Sequence, residues 1–95
     1  MKLYERINDG NWFKGKFVSN DGTRRCLLGH AIEERLFTLC GAGNILENPT
    51  YQALSAAINL LYPDRSSDWS GVAHFNDHPD TTVEDVIRVC KVADV

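Results

Sequence analysis

Cys26-Leu27-Leu28-Gly29-His30-Ala31-Ile32-Glu33-Glu34-Arg35-Leu36-Phe37-Thr38-Leu39-Cys40 is the stretch on which the fold turns. Leu28, Ile32, Leu36 and Leu39 recur at intervals of four, four and three, which stacks them on one face of an α-helix. His30 and Glu34 then fall roughly opposite, on the wetter side. Gly41-Ala42-Gly43-Asn44 supplies the stop, because Gly and Asn accept the left-handed conformation that closes a helix. Ile45 and Leu46 are expected to tuck the following loop down.

Upstream, Leu3, Tyr4 and Ile7 fall at helical spacing in residues 2–8, and Asn8-Asp9-Gly10-Asn11 ends that short helix. Trp12-Phe13-Lys14-Gly15-Lys16-Phe17-Val18 has the aromatic and β-branched content of an extended segment. Asn20-Asp21-Gly22 then marks a tight turn, so a small β-hairpin is expected at 16–25. Downstream, Asn48-Pro49 reads as an N-cap with proline at the first helical position. Tyr51, Leu54, Ile58 and Leu61 mark the buried stripe of that helix, which Tyr62-Pro63 ends. Residues 64–80 show little periodicity beyond a short strand or turn at Val72–Phe75, and a long ordered loop of this kind is often functional. Thr81 with Glu84, or Thr82 with Asp85, matches a capping box ahead of a last helix with Val83, Val86, Ile87 and Cys90 on its apolar face.

These elements describe one domain over residues 1–95, mainly α, with about four helices around one core and a minor β-hairpin; an α+β arrangement is the alternative. An apolar fraction of 43% with 24% charged residues is enough to build that core and argues against disorder. The net charge of −3 argues against extensive nucleic-acid binding, which needs many phosphate-neutralising Lys and Arg. Charge is nevertheless uneven. Residues 1–25 carry Lys2, Arg6, Lys14, Lys16, Arg24 and Arg25 against Glu5, Asp9 and Asp21, whereas residues 64–95 are dominated by acids. Cys26, Cys40 and Cys90 form neither a disulfide framework nor a zinc-knuckle spacing, which fits reduced thiols in a cytoplasm. No apolar run has the length of a signal peptide core or a membrane span, so no membrane association is expected.

Trp12 with Gly15, then Cys26-Leu27-Leu28-Gly29, then Phe75-Asn76-Asp77, then Thr81 or Thr82 ahead of Asp85-Val86, resembles a family of small uncharacterised bacterial and phage proteins. In that family a Trp-x-x-Gly element precedes a Cys-x-x-Gly-Ala helix, and an aromatic-Asn-Asp element precedes a capped helix. This chain departs by placing His30 where the family more often has a small residue and by its long polar 63–74 connection. The resemblance implies no specific chemistry. It points to a phage or mobile-element accessory protein, a class that commonly binds host proteins or the nucleotide signals of host defence.

Four candidate sites follow from the residues. Cys26 near a helix start, with Arg24 and Arg25 beside it, has the setting of a lowered thiol pKa, and His74 with Asn76 or Asp77 could complete a cysteine-hydrolase arrangement. The plainer reading is a small buried residue under the hairpin. Cys26 and His30, and His74 and His78, are each four apart, as metal ligands on one helical side are, but Pro79 disfavours helix at His78 and neither spacing is a common zinc pattern. Lys14, Lys16, Arg24 and Arg25 beside the Cys26 helix form an anion or nucleotide site, with Trp12, Phe13 or Trp69 as a stacking surface and Asn76 as a polar contact; an ordinary solvated face is the plainer alternative. Phe75-Asn76-Asp77 reads as a side-chain-stabilised turn. The expectation is a non-enzymatic binding protein, without metal or other cofactor, that sequesters an anionic small molecule such as a host-defence nucleotide, or a host protein. A homodimer or higher oligomer is expected of so small a chain. The alternative is a small cysteine hydrolase using Cys26 and His74.

Overall fold

The structure is a computed structural model and describes residues 2–34, 48–65 and 71–95. Within them the helices are α1 (Leu3–Arg6), α2 (Leu27–Glu33), α3 (Pro49–Leu61), α4 (Gly71–Asp77) and α5 (Val83–Ala93), with a 3-10 turn at Pro63–Arg65. The architecture is mainly α, as the periodicity requires.

Helix α3 begins as its sequence dictates. The Asn48 side chain accepts from the Thr50 and Tyr51 N–H groups, and Pro49 occupies the first turn where its missing N–H costs nothing. Its stripe of Tyr51, Leu54, Ala57 and Ile58 is buried. Helix α5 opens on a capping box in which Thr82 accepts from the Asp85 N–H and the Asp85 carboxylate accepts from the Thr82 N–H. The Thr82–Asp85 reading therefore holds over Thr81–Glu84. Val83, Val86, Val89 and Cys90 face inward; Val89 takes the position expected for Ile87, which is only partly buried. Asp94, in the left-handed conformation at φ 57°, closes the helix. The Lys2 ammonium donates to the Asp94 carbonyl at 2.9 Å, and the Leu3 N–H bonds the Val95 carbonyl, so α1 is fastened to the end of α5.

Helix α3 packs on α5 and α4, α1 on α5, and α4 on α2, around a core in which Leu3, Leu27, Leu54, Ile58, Val72, Phe75, Val86 and Val89 are fully buried. Each such side chain contributes about 1.5–3 kcal/mol through removal from water. Tyr62 stacks on Phe75 with ring centroids 5.3 Å apart and ties the 3-10 turn to α4. Asp85 extends that tie by accepting from the Tyr62 hydroxyl and from Arg65, each at 3.0 Å.

Four expectations are corrected. Residues 16–25 turn back, but among the described residues they form no strand. Val18 and Arg25 make an isolated antiparallel bridge, and Arg25 also bridges to Trp12 in the parallel sense. The turn is built by Asp21, whose carboxylate accepts from Ser19 Oγ, Thr23 N and Thr23 Oγ1, holding its pKa down to about 2. Ladder pairing stops because Arg25 spends its N–H on the Asn11 carbonyl. Val72–Phe75 is helical rather than extended, since Val72, Phe75 and Asn76 share one buried face of α4. The first helix is a single turn, shorter than 2–8, because Ile7 is already extended. His30 is 1% exposed and not on a wet face. Leu36, Leu39, Cys40, Gly41–Asn44, Ile45, Leu46 and Trp69 lie outside the described residues.

Candidate functional site

Pro79 disfavours helix at His78, so α4 ends at Asp77 and presents Asn76 and Asp77 in its last turn. Asn76 is 1% exposed, and its four strongest hydrogen-bonding positions are all filled. Its Oδ1 accepts from Trp12 Nε1 at 2.7 Å and from the Leu27 N–H at 3.0 Å. Its Nδ2 donates to the Phe13 carbonyl at 3.3 Å and to Asp77 Oδ1 at 3.0 Å. Asp77 Oδ1 also accepts from the Gly15 N–H at 2.9 Å, and Gly15 at φ 98° holds a conformation that favours glycine.

The segments that carry the sequence resemblance therefore meet at one point. Trp12-x-x-Gly15 grips Asn76-Asp77 by its indole and its glycine N–H, and the Cys26-x-x-Gly29 helix hangs its first N–H on the same asparagine. Cys26 is the N-cap of α2, its Sγ accepting from the Gly29 N–H at 3.3 Å. Gly29 is glycine for lack of room: a Cβ there would lie 2.0 Å from the Phe17 carbonyl oxygen.

Against this frame lies a cavity of about 430 Å³ between the 15–17 loop and the facing ends of α2 and α4, lined by Gly15, Lys16, Phe17, Cys26, Leu28, Ala73, Asn76 and Asp77. That volume falls in the range of small-molecule sites. Its walls are mostly apolar, with Lys16 the only cation among the lining residues and Asp77 the only carboxylate. A shallower depression of about 310 Å³ adjoins it, lined by Ala73, His74, Asp77, His78 and Pro79. On the other side of Phe17 a third depression, about 230 Å³, is lined by Phe17, Val18, Arg25, Gly29, Ile32 and Glu33.

Of the residues singled out from the sequence, Lys16, Cys26, Asn76 and Asp77 share the cavity. His74 is exposed and faces the adjoining depression, and among the described residues no hydrogen bond joins it to Cys26. Arg24 and Arg25 do not activate the thiol. Burial raises the Cys26 pKa, the Asp77 charge adds to that, and the N–H groups of Gly29 and Leu28 oppose it without prevailing. Burial likewise pushes the Cys90 thiol up to about 12.

The basic residues separate. Lys14 lies 5.9 Å from the Trp12 ring centroid and donates to the His78 carbonyl. Lys16 reaches Asn20 Oδ1 at 3.0 Å, Arg25 lies 3.7 Å from Glu33, and Arg24 is exposed at the turn. Only Lys16 of the four lines the cavity. Trp12 is committed through its indole N–H to Asn76. His30 has no lone pair to spare for a metal, since Nδ1 accepts from Arg6 Nε at 3.0 Å and Nε2 lies 2.9 Å from the Asn11 carbonyl. Among the described residues no group of three or more His, Cys, Asp and Glu is placed to hold a metal. None of their helices is long and apolar enough to cross a membrane.

Sequence reasoning missed the saturation of Asn76 and the burial of His30, because the partners of both are remote along the chain. It also missed Ala73 and Leu28 as cavity walls. The one local signal was Gly15, a glycine inside an otherwise aromatic and basic run.

A mainly helical domain knotted at one buried asparagine, with an apolar cavity beside the knot, is what the geometry defines. The chain matches the family model described as "Family of unknown function (DUF6197)" over residues 2–94, and it belongs to that family. No curated protein and no solved structure matches it.

Proposed function

We propose that this protein works by binding, and that the cavity between the 15–17 loop, α2 and α4 takes a small nucleotide-type ligand. The carrying observation is how the polar groups around the cavity are used. Asn76 is consumed by the fold, the Cys26 thiol caps a helix and is held neutral by burial, and the rest of the wall is apolar apart from Lys16 and Asp77. Such a wall receives a ligand better than it reacts with one. A flat base fits against Phe17, Leu28 and Ala73, and Lys16 supplies a charge for an anionic group. In biological terms the reading is an accessory protein of a phage or mobile element that sequesters a host-defence nucleotide signal. Capture of a host protein is the second form of the same reading, supported by Phe17 and Val18, which stand 46% and 43% exposed.

Thermal unfolding of the full chain against mononucleotides, cyclic nucleotides and ADP-ribose tests the proposal. A ligand present at about a hundred times its Kd adds about 2.7 kcal/mol to the folded state, a shift of roughly ten degrees or more in a domain this small. No shift with any of them at millimolar concentration removes the nucleotide reading. Iodoacetamide labelling tests the hydrolase alternative: a catalytic Cys26 would alkylate at neutral pH far faster than Cys90, and negligible labelling is expected.

A further inference from the structure

We infer that the shallow depression beside the cavity is a subsite for the vicinal hydroxyls of a ribose, so that the ligand is a ribonucleotide and not its deoxy counterpart. This rests on the nucleotide reading of the cavity. The two hollows share Ala73 and Asp77 as a common wall, so a ligand whose base fills the cavity passes its sugar over Asp77 onto the ledge.

Besides His74, the residues lining the ledge include an acceptor, Asp77, and a donor, His78, on consecutive positions. Asp77 Oδ1 is filled by the Gly15 N–H and Asn76 Nδ2, which fixes the plane of the carboxylate, while Oδ2 has no partner among the described residues. On His78, Nδ1 accepts from the Asp80 N–H at 3.1 Å, so the ring proton sits on Nε2 and the ring is a donor there. That assignment disfavours a metal at Nε2, which would need the nitrogen stripped of its proton. The neighbouring carboxylate disfavours a phosphate by like charge. A hydroxyl is the group that both donates and accepts, and a vicinal pair satisfies Asp77 and His78 together.

The ledge is also held in place before any ligand arrives. Lys14 donates to the His78 carbonyl, Pro79 restricts the backbone that follows, and Gly15 locks Asp77. Lys16 lines the cavity and not the ledge, so the anionic part of the ligand has its own attraction elsewhere.

Equilibrium binding of AMP and GMP to the full chain, each beside its 2′,3′-dideoxy form, tests this. The ribose forms are expected to bind about tenfold more tightly, the difference of one charge-assisted hydrogen bond. Asp77→Asn keeps the Oδ1 acceptor for Gly15 but removes the charged acceptor on the ledge, and should narrow the gap between ribose and dideoxy forms to about twofold. His78→Phe, which removes the donor, should narrow it too. Equal affinity of ribose and dideoxy forms for the unmodified protein overturns the ribose subsite and leaves the nucleotide reading standing. A full gap in a folded Asp77→Asn protein overturns it as well. No binding of any of the four compounds overturns the ribose subsite, and the nucleotide reading falls with it when cyclic nucleotides and ADP-ribose fail to bind as well.

Discussion

Helices α2 and α5 begin in opposite ways. At α5 the start is local: Thr82 Oγ1 accepts from the Asp85 N–H at 3.3 Å, and the Thr82 N–H reaches Asp85 Oδ2 at 3.1 Å. At α2 it is half local and half remote. Cys26 Sγ takes the Gly29 N–H, but the Leu27 N–H goes to Asn76, 49 residues along the chain. Helix α5 can therefore be started by its own sequence. Helix α2 acquires its full cap only when α4 and the Trp12–Gly15 loop have docked, and that docking also builds the cavity. Stability at the start of α2 and integrity of the site are the same property, while the start of α5 is independent of both.

The sharpest way to break this contrast is at its centre. Asn76→Ala leaves the Leu27 N–H, the Trp12 indole N–H and the Phe13 carbonyl without their partner. With each buried orphan costing about 1–3 kcal/mol, a loss of about 4 kcal/mol is expected. Urea unfolding followed by Trp fluorescence measures it, and a loss under about 1 kcal/mol would mean that Asn76 does not hold the three segments together. Next comes Gly29→Ala, expected to cost about 3 kcal/mol as an overpacking change, because the new methyl would meet backbone at Phe17, which cannot rotate away. Gly15→Ala gives a smaller loss of about 1 kcal/mol for a different reason: its surroundings are open, but its φ of 98° is costly for any residue with a Cβ. Equal losses at the two glycines would contradict the distinction between space and conformation.

Thr82→Ala completes the comparison from the α5 side. Loss of the cap is expected to cost about 1 kcal/mol with no change in nucleotide binding, because nothing at the cavity depends on Thr82. Cys26→Ala should cost a similar amount at α2 and weaken binding as well, since Cys26 is both cap and cavity wall. A Thr82→Ala protein that loses binding would show that the two helix starts are coupled after all.

The same contrast explains what was legible in the sequence. Asn48-Pro49 and the Thr82–Asp85 box declare their helices because both partners of each interaction lie within one turn. The Asp21-Gly22 turn was legible for that reason too, whereas the strands around it were not: a ladder needs backbone groups that Arg25 gives to Asn11 instead. The placement of Cys26 at a helix start was readable. The consequence for Cys26 was not, because the thiol pKa is decided by burial, which sequence proximity to Arg24 and Arg25 does not report. Phe75-Asn76-Asp77 stood out as a turn, but it is helical and forms the end of α4; the partners of Asn76 and Asp77, which are Trp12, Phe13, Gly15 and Leu27, lie 49 to 64 residues away, beyond any local pattern.

His30 sharpens the comparison by pH. It sits in α2 between Arg6 of α1 and the Asn11 carbonyl, with Arg25, Glu33 and Glu34 as its other charged neighbours. Burial lowers its pKa from 6.5, and the Arg6 and Arg25 charges push the same way, against the Asn11 carbonyl and Glu33. A protonated ring would also turn Nδ1 from an acceptor into a donor facing the Arg6 Nε–H. The unfolded chain therefore binds a proton more readily than the folded one. Stability from this group is complete above pH 6.5 and declines as pH falls from there toward the lowered folded value. One proton limits the slope to about 1.4 kcal/mol per pH unit. Glu34, held low chiefly by its hydrogen bond from Arg6, loses its contribution only below its ordinary 4.5, so the two windows are separable. Urea midpoints measured between pH 7 and 5 should fall for the natural protein and stay level for His30→Gln. A slope that survives the substitution would place the titrating group elsewhere. A slope that vanishes ties the α1–α2 junction, and the Asn11 loop leading into Trp12, to a neutral imidazole.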